Sequence, residues 1–518
     1  MEPLAIRLRL AKSPTKLLVM RIRFSNSFML NHFKRLTPSQ ATLLLIAATA
    51  LLRLLSANSV GLSVDEAHYA LYGLHPDWSY FDHPPLIGWL QALALLFGDS
   101  NLALRVLPIT LFACTGWVLY RVTLTLFPHE TPWLGFTGVA LLYSGAMLQL
   151  VGLAMLPDTP LLLLGLLVLR VLHGIVVQGR VRWWLWLGVL LGLAALSKYT
   201  AITLLATVVL ALTLGKQWRQ LRSPWPWLAV LVAFVLIFPI LYWNYRHDWL
   251  SFAYQLHHGA GKPHWEWKRF LASEGAQLLA YGPGLFVFGL IALAAGLRRW
   301  RERGVWLCLA LALPVLLLFG WGGGFEMTLP HWTALGWAGL TPLIAYWLHR
   351  HWQLRWVRIG IGSAMVYSVA VIALIFSEFL SPWLPFNDNG NPLRDLYGWE
   401  QAAQRAGQLR AQMGAEQGES APLLFTGNWT YASRLAWYAR PSTVQVTDTR
   451  YDQFDLWFGS PQNGARGILV LWPDQRAQPA TGGAGQFTAC ELRDSLPVSS
   501  HGHLLSTFSF YACHGFRN

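Results

Sequence analysis

The sequence predicts a polytopic α-helical membrane protein of about eleven transmembrane helices that carries a small C-terminal α/β domain. Of its 518 residues, 54% are hydrophobic and only 12% are charged, whereas a soluble domain has about 25% charged residues. The mean hydropathy is +0.38, and the chain contains 28 tryptophans. These values exclude a soluble globule, a fibrous repeat and a disordered chain. The net charge of +14 is spread between apolar runs and does not indicate nucleic-acid binding.

Eleven apolar runs reach or approach the length of about 18 residues that a membrane-crossing helix needs. Runs 183–197 and 201–214 are short and form either two crossings or one broken unit, so the total holds to within about two. The runs are 40–57, 104–127, 132–153, 159–175, 183–197, 201–214, 225–243, 280–297, 304–321, 332–348 and 357–377.

Basic residues between these runs predict the orientation of the chain. Segment 1–38 holds eight Lys and Arg against one acid and has no small-residue cleavage site, which indicates a cytoplasmic arm before a retained first helix. Between Arg53 and Arg105 there is no basic residue, but five acids occur. Because basic loops stay in the cytoplasm, we expect the N-terminus inside and the residues after about 378 outside; loop 244–272 breaks the pattern. The basic loops contain Arg170, Arg180, Arg182, Lys216, Arg219, Arg222, Arg298, Arg299, Arg301, Arg303, Arg350, Arg355 and Arg358.

This topology divides the chain into three parts. They are a cytoplasmic arm at 1–38, a membrane domain at 39–377 with outer loops 58–103 and 244–279, and an outer domain at 378–518. The last part contains twelve acids, ten Arg and no Lys, as a soluble domain would.

The outer domain has the alternating pattern of a small α/β fold. Segments 398–413 and 429–438 have helical periodicity, and 422–427 and 466–472 are short apolar runs typical of buried strands.

The four cysteines fit the same topology. Cys114 and Cys308 lie in apolar runs, where we expect plain core residues. Cys490 and Cys513 lie in the outer domain, where an oxidising compartment would permit a disulfide between them.

The first outer loop carries acids suited to catalysis. Asp65 and Glu66 are adjacent and follow shortly after the first apolar run. Two carboxylates beside apolar walls repel and desolvate each other, which raises the pKa of at least one and suits a general base. The pair Asp82-His83 precedes two prolines, and the stretch 85–98 has the length and amphipathic pattern of a helix lying along the membrane interface.

Asp158 and Lys198 are further candidates at outer helix ends. Asp158 interrupts an apolar stretch and is costly there unless it has a partner or a task; as the alternative, Asp-Thr-Pro forms a helix start. Lys198 is a single basic residue in an outer corner. Either a phosphate offsets its charge, or its chain reaches to the headgroups.

Outer loop 244–272 combines basic and aromatic residues, which suits a phosphate or pyrophosphate group next to a sugar ring. The spacing of His257, His258 and His264 matches no strong metal-site pattern. In the turn at 321–332, Glu326 and His331 give a weaker site signal. The residues that carry this pattern include Arg246, His257, His258, Lys262, His264, Lys268 and Arg269.

Several motifs together resemble the bacterial branch of the protein mannosyltransferase superfamily, which includes the aminoarabinose transferases of lipid A. The motifs occur in the family's order over roughly 40–345, and the outer domain is similar more loosely. Asp65 stands at the acidic residue near the reacting sugar, and His83 stands where the aminoarabinose enzymes have lysine. The motifs are Val64-Asp65-Glu66-Ala67, Tyr80-Phe81-Asp82-His83-Pro84-Pro85-Leu86, Phe97-Gly98, Arg105, Pro157-Asp158-Thr159-Pro160-Leu161 and Ser197-Lys198-Tyr199-Thr200.

The resemblance implies a GT-C type glycosyltransferase in the bacterial inner membrane, with the outer domain in the periplasm. Its donor would be a polyprenyl-phosphate sugar, and its acceptor lipid A, another envelope glycan or a protein. An inverting displacement needs a carboxylate base and help for the departing phosphate from cations or a metal, so a divalent metal stays open as a cofactor.

Residue roles follow from this scheme. We expect Asp65 to be the base, with Glu66 and Asp158 holding it or the acceptor. The expected substrate-binding residues are Asp82, His83, Lys198, Tyr199, Arg246, His258 and Lys262.

Two other functional classes fit parts of the sequence. A transporter or flippase for a lipid-linked glycan would also have many helices and basic loops, but transporters usually place ionisable residues near the bilayer midplane in repeated halves. A sensory protein would not explain the carboxylates gathered in the first outer loop.

Overall fold

The computed structural model describes residues 36–260, 264–417, 422–472 and 487–517. Most of the predicted basic arm at 1–38 therefore lies outside the described residues. The helices of the membrane part are α1 (Pro38–Ser56), α2 (Val64–Leu74), α3 (Leu86–Leu95), α4 (Asn101–Leu126), α5 (Trp133–Ser144), α6 (Ala146–Val151), α7 (Asp158–Val176), α8 (Trp183–Ser197), α9 (Thr203–Leu214), α10 (Pro224–Arg246), α11 (Leu250–Ala260), α12 (Trp267–Arg298), α13 (Arg303–Leu316), α14 (Ala334–Arg350) and α15 (Arg355–Leu380).

The described part of the chain has seven helices that are long and apolar enough to cross a membrane. They begin at Pro38, Asn101, Asp158, Pro224, Trp267, Arg303 and Arg355, and shorter apolar helices lie between them. Each of the eleven predicted runs contains helix. The prediction of a multi-pass helical membrane protein is thus confirmed, while the total of about eleven crossings stays a prediction.

Two runs depart from straight helices. Run 132–153 is divided at Gly145, whose backbone is extended, so that it forms α5 and the short α6. Helix α12 begins well before its predicted start at 280 and bends at Gly282, which has a φ of 72° and is followed by Pro283. Glycine tolerates this left-handed backbone without a side-chain clash, and next to the bend the Tyr281 hydroxyl donates to the Pro330 carbonyl, before α14, at 2.7 Å.

Segment 58–103, which the sequence predicts to be the first outer loop, is mostly helical. Ser63 caps α2, and the Glu66 side chain bonds back to the Ser63 backbone in a capping box. The second helix of this loop, α3, packs along α2 and provides the predicted short helix after the proline pair. Helix α2 places both members of the first acidic pair in its first turn.

The C-terminal part is a mixed sheet covered by helices, as the predicted small α/β domain requires. The strand order is β2-β1-β3-β5-β4, with β1 parallel to β2 and β3, and β5 antiparallel to β3 and β4. The four predicted elements are present. The elements are α16 (Trp399–Gln417), β1 (Leu423–Thr426), α17 (Trp429–Tyr438), β2 (Val444–Val446), α18 (Gln453–Phe458), β3 (Gly467–Leu471), β4 (Phe487–Ser500) and β5 (His503–Phe516).

The long hairpin of β4 and β5 was not predicted from the sequence. Its residues Cys490 and Cys513 lie directly opposite each other and are joined by a disulfide, with their Cα atoms 4.1 Å apart. Cys308 is buried, as expected of a core residue, whereas Cys114 is exposed on α4, so the expectation of a core residue is wrong for Cys114.

One core joins the C-terminal domain to the membrane part. Ala67, Ala70 and Leu71 of α2 are buried in the same apolar cluster as Trp437 and Phe508 of the C-terminal domain. Helix α2 is thus packed from both sides, and a residue on it is held by the membrane helices and by the C-terminal domain at once.

Candidate active site

The two acids of α2 have different surroundings. Glu66 is buried and accepts hydrogen bonds from Arg105 at 2.7 and 2.9 Å and from the Ser63 hydroxyl at 3.0 Å. Burial opposes its charge, but Arg105 holds the pKa of Glu66 below its usual value. The expectation that repulsion between Asp65 and Glu66 raises the pKa of one of them is therefore wrong for Glu66, because an arginine distant in sequence neutralises it.

Asp65 is partly buried. Among the described residues its carboxylate accepts no hydrogen bond and forms no ion pair, in contrast to Glu66 beside it. Its charge nevertheless acts on Tyr69 and on His331, so it faces the same region as these two side chains. A carboxylate in this setting is open to a substrate hydroxyl.

Asp82 and His83 form a contact at the other end of the first loop. His83 Nδ1 lies 3.1 Å from one carboxylate oxygen of Asp82, and His68 Nε2 lies 3.9 Å from the other. The Tyr72 hydroxyl donates to Asp82. Burial works against the charge of Asp82, but the two histidines hold the pKa of Asp82 well below its usual range, so this carboxylate stays ionised.

Tyr69 is a site residue that sequence reasoning missed. Its hydroxyl lies 3.2 Å from His83 Nε2. Burial, together with the charges of Asp65, Asp82 and Asp158, raises the pKa of Tyr69 well above its usual value, so the phenol keeps its proton. A helix through 64–74 would have placed Tyr69 one turn after Asp65, which is the signal that could have found it.

Asp158 and Lys198 form a buried ion pair. Lys198 Nζ donates to both carboxylate oxygens of Asp158, at 2.9 and 2.8 Å, and His331 Nε2 lies 3.9 Å from the same carboxylate. Asp158 begins α7 and makes no capping hydrogen bond, which excludes the capping alternative. The sequence suggested that a phosphate balances the charge of Lys198. In the structure the Asp158 carboxylate balances this charge within the protein.

Loop 244–272, from which donor contacts were predicted, is described by the structure only in part. Arg246 is exposed at the end of α10, and in the described chain it has no hydrogen bond or ion pair. The Tyr199 hydroxyl lies 2.6 Å from Ser251 Oγ at the start of α11. The side chain of His258 and all of Lys262 lie outside the described residues.

The C-terminal domain reaches the first loop through polar contacts that the sequence did not indicate. The backbone N–H of Phe81 donates to Gln453 at 2.7 Å, and the Arg450 guanidinium donates to the Tyr254 hydroxyl at 2.7 Å. The segment before Asp82 is therefore fixed by α18.

A cavity of about 520 Å³ lies elsewhere, between α5, α14 and α15. Its lining includes Trp133, His349 and Arg358 but none of the site residues above. We place the candidate site by chemistry rather than by cavity size. Among the described residues, no group of three or more His, Cys, Asp or Glu side chains could hold a metal ion.

Comparisons with known proteins find similar sequences. The family model described as dolichyl-phosphate-mannose-protein mannosyltransferase matches residues 82–243. A lipid A galacturonosyltransferase, RgtD of Rhizobium johnstonii, is 26% identical over 404 residues, which cover 76% of this chain and 81% of that protein.

Solved structures show the same fold. ArnT from Cupriavidus metallidurans matches in its apo state, with a TM-score of 0.60 and 16% identity. It also matches in its complex with undecaprenyl phosphate, with a TM-score of 0.61 and 17% identity. Both matches cover 90% of this chain and 97% of ArnT. The chain therefore has an ArnT-like GT-C fold with a small C-terminal sheet domain, and it resembles the membrane glycosyltransferases of the GT-C class.

Proposed function

We propose that this protein is a glycosyltransferase that moves a sugar from a polyprenyl-phosphate donor to a hydroxyl of a glycolipid acceptor. The relative RgtD is named for transfer to lipid A, and an ArnT structure of the same fold holds undecaprenyl phosphate. These findings support a lipid-phosphate donor and favour a glycolipid over another envelope glycan or a protein as acceptor.

The observation that carries the proposal is the open carboxylate of Asp65. In the proposed reaction, Asp65 removes the proton from the acceptor hydroxyl while the acceptor oxygen attacks the anomeric carbon. The bond from this carbon to the phosphate oxygen breaks, and the configuration inverts. General-base help of this kind contributes about 10²–10⁴-fold in rate. Phosphate is a tolerable leaving group. Its departure from the anomeric carbon therefore requires cations that stabilise its charge more than it requires protonation.

His83 and Lys198 are the proposed phosphate partners. Lys198 keeps two of its three N–H bonds on Asp158, which leaves one donor for a phosphate oxygen. His83 is partly exposed, and its Nδ1 lies 3.1 Å from the carboxylate of Asp82, so its imidazole can contact the substrate. Glu66, paired with Arg105, would position Asp65 by fixing the first turn of α2. Arg246, His258 and Lys262 stay proposed contacts for the donor headgroup.

The proposed location is the inner membrane of a bacterium, with the N-terminus in the cytoplasm. In this arrangement the membrane domain at 39–377 would hold the reaction centre above the outer leaflet, and the domain at 378–518 would stand in the periplasm. The absence of basic residues between Arg53 and Arg105 supports this orientation.

The direct test uses the purified full chain in detergent with undecaprenyl-phosphate sugars and a lipid A acceptor. A transferase releases free undecaprenyl phosphate and yields a heavier acceptor in equal amounts, and omission of the acceptor abolishes most of the release. A flippase moves the intact donor across a vesicle membrane and releases none. Transport of the donor without cleavage would therefore replace the proposal by the flippase alternative.

A further inference from the structure

A continuous series of polar contacts runs from the C-terminal domain into the candidate site. Ser433 Oγ lies 2.9 Å from His68 Nδ1, and His68 Nε2 lies 3.1 Å from the Tyr72 hydroxyl. Tyr72 donates to Asp82. Asp82 in turn contacts His83, whose Nε2 lies 3.2 Å from the Tyr69 hydroxyl. We call these residues the polar relay.

His68 is the member of the polar relay that crosses between the two parts of the molecule. It belongs to α2 but is enclosed by rings of the C-terminal domain, with centroid distances of 5.1 Å to Trp429 and 6.1 Å to both Phe454 and Trp457. Its side chain is only 3% exposed. A buried imidazole surrounded by aromatic rings needs partners for both nitrogens, and Ser433 and Tyr72 supply them.

The protons of the polar relay can be assigned from its donors and acceptors. The Tyr72 hydroxyl donates its hydrogen bond to Asp82, so the Tyr72 oxygen accepts a hydrogen bond from His68 Nε2–H. The Ser433 hydroxyl donates to the Trp429 carbonyl at 2.7 Å, so the Ser433 oxygen accepts a hydrogen bond from His68 Nδ1–H. All of these hydrogen bonds exist together when both nitrogens of His68 carry protons. His68 Nε2 also lies 3.9 Å from a carboxylate oxygen of Asp82.

We infer that His68 is a positioning residue, which couples the C-terminal domain to the reaction centre by fixing Asp82 and, through it, His83. This inference rests on the proposed function, because it gives the relay a task in sugar transfer. With one oxygen of Asp82 held by Tyr72, the other lies 3.1 Å from His83 Nδ1, in ion-pair contact without hydrogen-bond geometry. His83 Nε2 is then turned toward Tyr69 and the proposed phosphate position. The transition state gains charge on the departing phosphate, so a misplaced His83 lowers kcat more than it raises the KM for the donor.

Three variants separate this role from simple packing. His68→Asn keeps a donor near Nδ1 but loses the contact with Tyr72, whereas His68→Gln has an amide that reaches the Nε2 position and can donate to Tyr72. His75→Asn is the control, because His75 caps the C-terminal end of the same helix and also lies against Trp457, with a centroid distance of 5.0 Å, but outside the polar relay. All three are compared in the undecaprenyl-phosphate release assay.

We expect His68→Asn to lower kcat by on the order of 10- to 100-fold with a donor KM within about threefold of the wild type. His68→Gln should recover most of the loss, and His75→Asn should match the wild type. A His68→Asn variant with wild-type kcat, or a His68→Gln variant as slow as His68→Asn, would overturn the inference.

Hydrogen exchange tests the same claim without turnover. Peptides covering 78–85 should exchange faster in His68→Asn than in His75→Asn, because the hold on Asp82 is lost. Unchanged exchange in this segment would refute the positioning role. If the wild-type protein transfers no sugar but the exchange difference is present, the proposed reaction fails and the structural coupling stands.

Discussion

Neighbouring carboxylates on α2 show how surroundings assign different tasks to similar side chains. Glu66 is 5% exposed and is bound by Arg105, while Asp65 beside it has no partner in the described part of the chain. The pairing of Glu66 explains why its charge is stable in an apolar setting. The freedom of Asp65 fits a group that acts on a substrate.

Because only Glu66 is paired, its substitution should destabilise the protein, whereas the same kind of substitution at Asp65 should not. Glu66→Gln leaves Arg105 buried without its counter-charge and should lower the stability by about 3 kcal/mol or more, seen as a lower melting temperature in detergent. Asp65→Asn should leave the melting temperature unchanged. Arg299→Ala, which breaks a half-exposed pair with Glu302, is the control and should change stability by less than about 1 kcal/mol. Equal melting temperatures for Glu66→Gln and the wild type would disprove the assigned role.

Lys198 gives a second prediction at the scale of single residues. Lys198→Ala removes the proposed phosphate contact, so we expect the KM for the donor to rise more than the KM for the acceptor. Steady-state kinetics with each substrate varied in turn measure both. Asp158→Asn serves as a comparison, since it removes the negative partner but keeps the ammonium. A larger rise in the acceptor KM than in the donor KM would place Lys198 elsewhere in the reaction.

The sequence revealed acids at the right positions but not their partners. Asp65, Asp82 and Asp158 could be singled out because charges are rare in apolar surroundings. The partnership of Glu66 with Arg105 joins residues 39 positions apart, and no local pattern predicts it. The same holds for Tyr69, whose importance depends on the helical turn that brings it next to Asp65.

At the scale of elements, α2 and α18 form the junction between the two parts of the molecule. Asp452 caps α18 and is 4% exposed, and one of its carboxylate oxygens has no hydrogen-bond partner in the described residues. Burial and the nearby charge of Asp455 raise the pKa of Asp452 from 3.8 to about 6, although a backbone hydrogen bond from Phe454 opposes the shift.

The raised pKa predicts a specific pH dependence. The folded protein holds the proton of Asp452 more tightly than the unfolded chain does. Protonation of Asp452 therefore stabilises the folded state, and this contribution to the free energy of unfolding is complete below about pH 4. It is lost as the pH rises through about 6. One pKa unit corresponds to about 1.4 kcal/mol, so the loss is about 3 kcal/mol. Asp452→Asn keeps a good cap and should flatten the fall of the melting temperature between pH 4 and 6.

Asp388 is exposed, so Asp388→Asn is the matched control for this experiment. It should retain the wild-type dependence of the melting temperature on pH. If Asp452→Asn showed the same slope as the wild type, Asp452 would not be the group that titrates at the junction.

Helices were easier to predict than the sheet for physical reasons. Apolar runs and helical periodicity are local, so α1, α4 and α7 could be placed to within a few residues. The β4–β5 hairpin has an exposed strand without clear alternation, and its pairing with β3 depends on contacts across the chain. The bend at Gly282 was also missed, because a Gly-Pro pair inside an apolar run does not show whether the helix ends or continues.

At the scale of the whole molecule, the distribution of charge predicts the orientation in the membrane. Asp388, in the C-terminal domain, follows the end of the 26-residue helix α15, and Gln353, in the turn after α14, precedes its start. Asp388→Cys should react with a membrane-impermeant maleimide on intact cells, and Gln353→Cys should react only after lysis. Both are made in a chain without Cys114 and Cys308. Labelling of Gln353→Cys in intact cells would reverse the topology.

The multi-pass helical architecture was the easiest feature to predict, because composition and loop charge can be read along the whole chain. The union of α2 with the C-terminal domain in one apolar core was not predictable, since each part looks self-contained in the sequence. This union brings Ser433, His68 and Asp82 into one series of contacts and makes the C-terminal domain part of the site.

The central claim is that the open carboxylate of Asp65 is the base of a sugar transfer from a lipid phosphate. The most direct measurement compares purified wild type, Asp65→Asn and Asp388→Asn for release of undecaprenyl phosphate from the lipid-linked sugar in the presence of acceptor. We predict a rate at least about 10²-fold lower for Asp65→Asn, with Asp388→Asn equal to the wild type. An Asp65→Asn rate within a factor of about two of the wild type, where a base contributes 10²–10⁴-fold, would contradict the claim.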